Sequence, residues 1–243
     1  MKLEEFLGEN CYIIADAGIN HGGNIKDAKL LVDAALYAGV DAVKFQTFTP
    51  EELPFANITY DETLQIKDYC DDNNITFLST PHSLSAIDFL APIVPVFKIA
   101  SPHITNNYFV ERIRIKKKPV IASTGSITHA SKVAKFDEVN KFLSHFTSDN
   151  LALLYCISEY PCYNFDAHEY EKFIDRYDGY ITGLSCHSPQ ISPAIEAVKC
   201  GASIVEKHIK LSDHHKCVDA QVSLSPRNFY FLVQAIRHEE RKL

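Results

Sequence analysis

No run of the chain approaches the roughly 20 apolar residues that a helix needs to cross a bilayer, which argues against a helical membrane protein. The opening Met1-Lys2-Leu3-Glu4-Glu5-Phe6 carries two acids and no apolar h-region, so no secretory leader is expected. The seven cysteines, Cys11, Cys70, Cys156, Cys162, Cys186, Cys200 and Cys217, are odd in number, and no two have C-x-x-C spacing. That argues against a disulfide framework and for a reduced, cytoplasmic setting. Nine glycines without a G-x-y period exclude a collagen-like chain. Positive charge is also short. Twenty-four Lys and Arg stand against 31 Asp and Glu, for a net charge of −7. An acidic chain lacks the basic face that phosphate neutralisation requires, so no nucleic-acid partner is expected. The one basic cluster, Lys116-Lys117-Lys118, falls where a helix should end, and cations there complement the helix dipole.

What is present is an ordinary globular composition, 46% hydrophobic and 23% charged over 243 residues. That length fits one large α/β domain. Short apolar, β-branched runs recur at Cys11–Ala15, Ala42–Gln46, Ile75–Ser79, Val96–Ile99, Val120–Ser123, Leu151–Tyr155, Ile181–Leu184 and Ile204–His208. They are mostly uninterrupted, as expected of strands covered on both faces. Helical patterns separate them. In the clearest, Ala28, Leu31, Val32, Ala35 and Leu36 form an apolar stripe, with Asn24 as N-cap and Gly39 as stop. Further helices are expected at about 62–73, 83–90, 106–117, 129–146, 167–178, 192–200 and 225–241. Eight strand–helix units predict a single (β/α)₈ TIM barrel, one α/β domain over 1–243, with right-handed crossovers. A doubly wound open sheet is the alternative. The absence of G-x-G-x-x-G after the first strand weakens its dinucleotide-binding version.

In a barrel, chemistry comes from the C-terminal ends of the strands. Polar groups gather at all eight such ends here. They include Asp16 with Asn20 and His21, Lys44 with Gln46, Ser79-Thr80-Pro81-His82, Lys98 with Ser101, and Ser123 through Ser126. Ser158-Glu159-Tyr160, Ser185-Cys186-His187 and Glu206-Lys207-His208 complete the set. One strand-end serine is as a rule a turn or cap residue, and one strand lysine can snorkel to solvent. Lys44 and Lys98, however, lie inside apolar segments, where an unpaired ammonium is costly. If both point inward they need anions, and Ser101, Ser123, Ser126 and Ser185 add hydroxyl donors. Such a set suits a phosphorylated, carboxylated small molecule. His187 and His208 end adjacent strands, close enough to share a divalent cation while leaving open positions for substrate and water. Two histidines among eleven can also adjoin by chance. His214-His215 reads as a solvated loop, and Cys186 is not expected to be a thiol nucleophile, because no oxyanion site or orienting partner can be named.

These residues resemble the sialic acid synthase family, barrels that condense phosphoenolpyruvate with an amino sugar. The match runs through Ile14 to Gly23, Ala42-Val43-Lys44-Phe45-Gln46-Thr47, Leu78-Ser79-Thr80-Pro81, Phe97-Lys98-Ile99-Ala100-Ser101 and Ser123-Thr124-Gly125. It continues through Ser158-Glu159-Tyr160-Pro161, Gly183-Leu184-Ser185-Cys186-His187 and Val205-Glu206-Lys207-His208. The resemblance implies a manganese-type divalent metal on His187 and His208, with magnesium or cobalt as alternatives. It implies phosphoenolpyruvate on Lys44, Thr80, Lys98, Ser101, Ser123 and Ser185. It also implies an N-acetylhexosamine such as N-acetylmannosamine contacted by Gln46, Tyr160 and Asp219. Asp16 becomes the acid/base carboxylate, and N-acetylneuraminate or a related nine-carbon keto acid the product. Barrels of this family commonly form homodimers.

The chain departs from the family pattern in places. Asp16 stands for the family's Glu, His82 for an apolar wall residue, Cys186 for an acid, and Cys217-Val218-Asp219-Ala220 for G-P-D-H. The family's C-terminal antifreeze-like domain is expected to be missing, which would leave the acceptor side open or covered by a separate protein. Two other readings compete: a degenerate barrel that binds an anion or a partner without catalysis, and a related 3-deoxy sugar-acid synthase or Schiff-base aldolase using Lys44 or Lys98.

Overall fold

A computed structural model describes residues 2–49, 52, 53, 56, 58–126 and 132–242. Its eight strands are β1 (Tyr12–Gly18), β2 (Ala42–Thr47), β3 (Thr76–Pro81), β4 (Phe97–Ile99), β5 (Val120–Ser123), β6 (Leu151–Cys156), β7 (Ile181–Cys186) and β8 (Ile204–His208). The ladders are parallel and run β3-β2-β1-β8-β7-β6-β5-β4. The first strand therefore pairs with both the second and the last, which is a barrel and not an open doubly wound sheet. β3 and β4 close the ring by packing side by side.

Residue alternation sorts each strand into two faces. Outward residues such as Ile13, Val43, Phe77, Phe97, Ala122, Leu153 and Val205 join the layer under the helices. Inward residues at the N-terminal end, Tyr12, Ile14, Ala42, Leu78, Val96, Ile121, Ala152, Leu154 and Ile204, fill the barrel as a second apolar cluster. Leu3 and Leu7 of the short helix α1 (Leu3–Leu7) belong to that cluster and close the barrel floor. Nothing in the sequence pattern had announced α1. One turn of a strand further up, the inward positions become polar, and the site begins there.

Helix α2 (Ile25–Ala38) starts at Asn24, whose side chain accepts from the Lys26 N–H, and stops at a left-handed Gly39, as expected. Then come α3 (Tyr60–Asp72), α4 (Leu84–Leu90), α5 (Asn107–Arg114), α6 (Phe136–Leu143), α7 (Ala167–Arg176), α8 (Ser192–Lys199) and α9 (Pro226–Glu240). Two expectations need correction. The pattern over 106–117 ends as a helix at Arg114, because Lys117 takes a left-handed φ of 55°. The stretch expected to be helical over 129–146 is helical only from Phe136. Positions 129–131 lie outside the described residues, and Val133 instead bridges Gly125. No helix among the described residues is long and apolar enough to cross a membrane. All seven cysteines are free.

Candidate active site

Strand register assembles the polar layer. Asp16 on β1 is aligned with Lys44 on β2 and with His208 on β8. Gln46 is aligned with Thr80, and Ser185 with Glu206. The resulting cavity, about 200 Å³, is lined by Asp16, Lys44, Gln46, Thr80, Lys98, Ser101, Ser123, Tyr160, Ser185, His187 and His208, with His82, Cys156 and Glu206 among the remaining walls. Eleven of the twelve residues expected from the sequence thus meet in one place. The twelfth, Asp219, stands at its edge: its Oδ2 lies 3.7 Å from His208 Nδ1. Cys186 packs in the outer apolar layer and takes no part. A larger cavity of about 590 Å³ opens on the flank of the barrel, but none of its charged lining residues is buried.

The two lysines do not wait unpaired for a ligand. Lys44 Nζ is 2.8 Å from Asp16 Oδ2 and 3.9 Å from Glu206 Oε2, and it donates to Thr80 Oγ1 at 3.3 Å. Lys98 Nζ is 3.4 Å from Glu206 Oε1 and donates to Ser123 Oγ at 2.8 Å. Ser185 Oγ donates to the same Glu206 oxygen at 3.1 Å. All four charged groups are buried. Burial works against the Lys44 ammonium, but Asp16 and Glu206 overcome it and hold Lys44 above the usual lysine range. Burial likewise opposes the Asp16 carboxylate, and Lys44 with His208 overcomes that and holds it below the usual range. Lys98 is the weaker cation. Burial lowers it, Glu206 opposes the shift only in part, and Lys44 adds repulsion.

The anions that two inward lysines were expected to need are therefore supplied in part by the protein itself, through Asp16 and Glu206. Glu206 was missed as a site residue. Its signal was its place two residues before His208, which strand alternation puts on the same inward face. Asn20 was also passed over. It is buried, donates to Ile209 O (2.8 Å) and Ser223 Oγ (3.0 Å), and accepts from the Asp219 N–H (3.0 Å), so it fixes the loop that carries Asp219.

His187 and His208 rings have centroids 5.7 Å apart. His187 Nδ1 donates to Ile157 O at 3.0 Å, which orients the ring and turns Nε2 inward, the arrangement a metal-ligating imidazole takes. Tyr160 hydroxyl meets that Nε2 at 2.7 Å, its ring stacked on His187 at 4.0 Å. His208 Nε2 lies 3.6 Å from Asp16 Oδ2. His208 Nδ1, Asp16 Oδ1 and Glu206 Oε2 are buried without a hydrogen-bond partner. Among the described residues no three His, Cys, Asp or Glu side chains are already gathered as a metal cage. Two imidazoles facing one cavity beside an under-satisfied carboxylate nevertheless fit the donor chemistry of a manganese-type ion with open positions.

Comparison with known proteins places this geometry. The sequence pattern of the NeuB family matches residues 53–243. The chain belongs to the NeuB family. The N,N'-diacetyllegionaminic acid synthase of Legionella pneumophila is 32% identical, over 96% of this chain and 73% of that protein. The pseudaminic acid synthase of Campylobacter jejuni is 30% identical, over 96% and 74% respectively. Among solved structures, the N-acetylneuraminic acid synthetase of Leptospira borgpetersenii superposes with a TM-score of 0.89 at 28% identity, covering 96% of this chain and 85% of that one. NeuB membership bears out the resemblance read from the strand-end motifs, and the superposition bears out the barrel.

Proposed function

We propose that this NeuB-family barrel joins phosphoenolpyruvate to the open-chain aldehyde of an N-acetylated hexosamine such as N-acetylmannosamine. The products are a nine-carbon 2-keto-3-deoxy sugar acid, such as N-acetylneuraminate, and inorganic phosphate. One observation carries the reading: Lys44, Lys98, His187 and His208, far apart in sequence, line a single cavity at the C-terminal ends of the strands. The relatives, each named as the synthase of an acidic sugar, support the reaction class.

The bond that forms joins C3 of phosphoenolpyruvate to the aldehyde carbon. Water adds its oxygen at C2, the bond from C2 to the bridging oxygen breaks, and phosphate departs, with one of the water's protons ending on the former aldehyde oxygen and the other on the phosphate. Lys44 and Lys98, with the hydroxyls of Thr80, Ser101, Ser123 and Ser185, bind the phosphate and carboxylate oxygens. Asp16, ionised by Lys44, takes a proton from the attacking water. Gln46, Tyr160 and Asp219 orient the sugar from the rim. His187 and His208 would hold a divalent ion, manganese or alternatively magnesium or cobalt, which when bound would supply Lewis-acid chemistry for the aldehyde oxygen. Holding both reactants in one cavity removes much of the entropy cost of bringing them together.

The decisive experiment is phosphate release with phosphoenolpyruvate, Mn²⁺ and a panel of N-acetylhexosamines. No turnover with any acceptor at high protein concentration would sink the reading. A second reading has one observation in its favour. Lys98 sits below the usual lysine range, as an amine nucleophile requires. A Schiff-base aldolase would then be trapped by borohydride in the presence of a keto-acid substrate, with label on Lys98, whereas the condensing enzyme shows no such adduct.

A further inference from the structure

His82 stands directly after β3, and its N–H donates to Thr47 O at 3.0 Å, extending the β2–β3 ladder to the edge of the cavity. Its ring lies flat on Phe48, with centroids 4.1 Å apart and planes 7° apart. It meets His103 edge-on at 5.4 Å, and His103 in turn lies flat on Phe109 at 4.1 Å. Rings packed in this way hold His82 in one orientation. Nδ1 faces His103 Nε2 at 3.4 Å. Nε2 is buried and has no partner. The residue lines the same cavity as Lys44, Thr80 and Lys98. A buried ring nitrogen left unpaired forfeits the hydrogen bond that water gave it, so such groups in a binding cavity are completed by what binds there.

We propose that His82 determines specificity for the anionic substrate: with Nδ1 accepting from the Nε2–H of His103, its own Nε2–H donates a hydrogen bond to a phosphate or carboxylate oxygen of bound phosphoenolpyruvate. The inference rests on the function proposed above and adds to it a contact that the lysines and serines do not make. Burial drives the His82 ring well below the usual range, to about 3, and His103 and Lys44 push the same way. The ring is therefore neutral at pH 7. A neutral donor gives the oxygen a proton without placing a third fixed cation beside Lys44 and Lys98. His103 sets which nitrogen carries that proton.

The test uses the whole chain with Mn²⁺ and phosphoenolpyruvate as the titrant, read by calorimetry and by side-chain ¹⁵N spectra of histidine-labelled protein. H82F keeps the stack on Phe48 and removes the donor, and H82Q restores an N–H near the same place. The expected results are an affinity for phosphoenolpyruvate at least about tenfold weaker in H82F, most of it recovered in H82Q, and a KM for the sugar that does not move. In the wild-type complex, His82 Nε2 carries the proton and its signal moves on titration. Two results overturn the proposal: H82F binding as tightly as wild type, or a His82 Nε2 that is unprotonated in the complex. The ¹⁵N measurement needs no variant, so a poorly folding H82F leaves the proposal open to refutation. A wild-type protein that binds no phosphoenolpyruvate overturns the functional reading itself, a result distinct from a wild type that binds and an H82F that matches it.

Discussion

At the level of single residues, the site is a line of alternating charges: Asp16, Lys44, Glu206, Lys98. Glu206 touches both lysines, so its loss leaves Lys98 without any carboxylate and Lys44 with one. Removing one partner from a buried ion pair costs about 3–5 kcal/mol, because the remaining charge is stranded. Glu206→Ala should lower unfolding free energy by that amount in urea titration, and Glu206→Gln, which still accepts from Lys98, by clearly less. Two ammonium groups answered by two carboxylates also leave the cavity with little net charge to spend on a multiply charged anion. The divalent cation proposed for His187 and His208 would supply it. Phosphoenolpyruvate should therefore bind at least about tenfold more tightly with Mn²⁺ than after chelation with EDTA, and by linkage the metal should gain the same factor from phosphoenolpyruvate. Calorimetry in both orders checks this, and equal affinities would remove the metal from the anion's binding energetics. Lys44 and Lys98 were legible in the sequence because an ammonium in an apolar run demands a counter-charge. The identity of that counter-charge was only half legible. The reading of Glu206-Lys207-His208 followed the imidazole and passed over the acid on the same face. The contact between Tyr160 and His187 was beyond reach, since it depends on the path of the loop after β6.

At the level of elements, the strands could be found, β5 and β8 with both ends, but the C-terminal ends of several others could not. β1 was expected to stop at Ala15 and β3 at Ser79, where apolar character gives out, yet the ladders run on through Gly18 and Pro81. Hydrophobicity marks burial in an apolar layer, whereas a ladder needs only backbone partners. Polar side chains at the barrel mouth therefore looked like loop. α1 was invisible for the converse reason: five residues carry too little pattern, and Leu3 and Leu7 matter only because the barrel floor is above them. One strand position shows how tightly the ring is closed. A Cβ added to Gly183 on β7 would lie 2.3 Å from Ile204 O and 2.8 Å from Ile204 Cβ on the neighbouring β8, and 2.8 Å from Leu154 Cδ2 on β6. Backbone cannot step aside without breaking both ladders. Gly183→Ala should cost about 3 kcal/mol or more, which for a chain of this size is a fall in Tm of roughly 6–12 °C. A Tm within a degree or two of wild type, by calorimetry, would show that β7 and β8 are free to separate there.

At the level of the whole molecule, the barrel divides into an apolar floor and a charged mouth, and the histidines it buries make its stability depend on pH. His21, 3% exposed, accepts from the Gly23 N–H at 3.0 Å, and burial drives its pKa down to about 4. His82 is driven down to about 3. In the unfolded chain both return to about 6.5. Between those values the unfolded chain binds protons that the folded chain refuses, so unfolding takes up about two protons near pH 5, and stability rises with pH across the window. The contribution is fully present above pH 6.5 and is lost as the pH falls, from His21 by about pH 4 and from His82 by about pH 3. At about 1.4 kcal/mol per pH unit for each proton, several kcal/mol disappear between pH 6.5 and 4. Asp16, held below its usual range by Lys44, adds its own loss in the same direction at lower pH. Urea unfolding at pH 7, 5.5 and 4.5 should show this decline, and His21→Asn, which keeps a short polar side chain but cannot titrate, should flatten the slope by about one proton's worth. An unfolding free energy that stays level from pH 7 to 4.5 would mean that both rings take up their protons inside the fold.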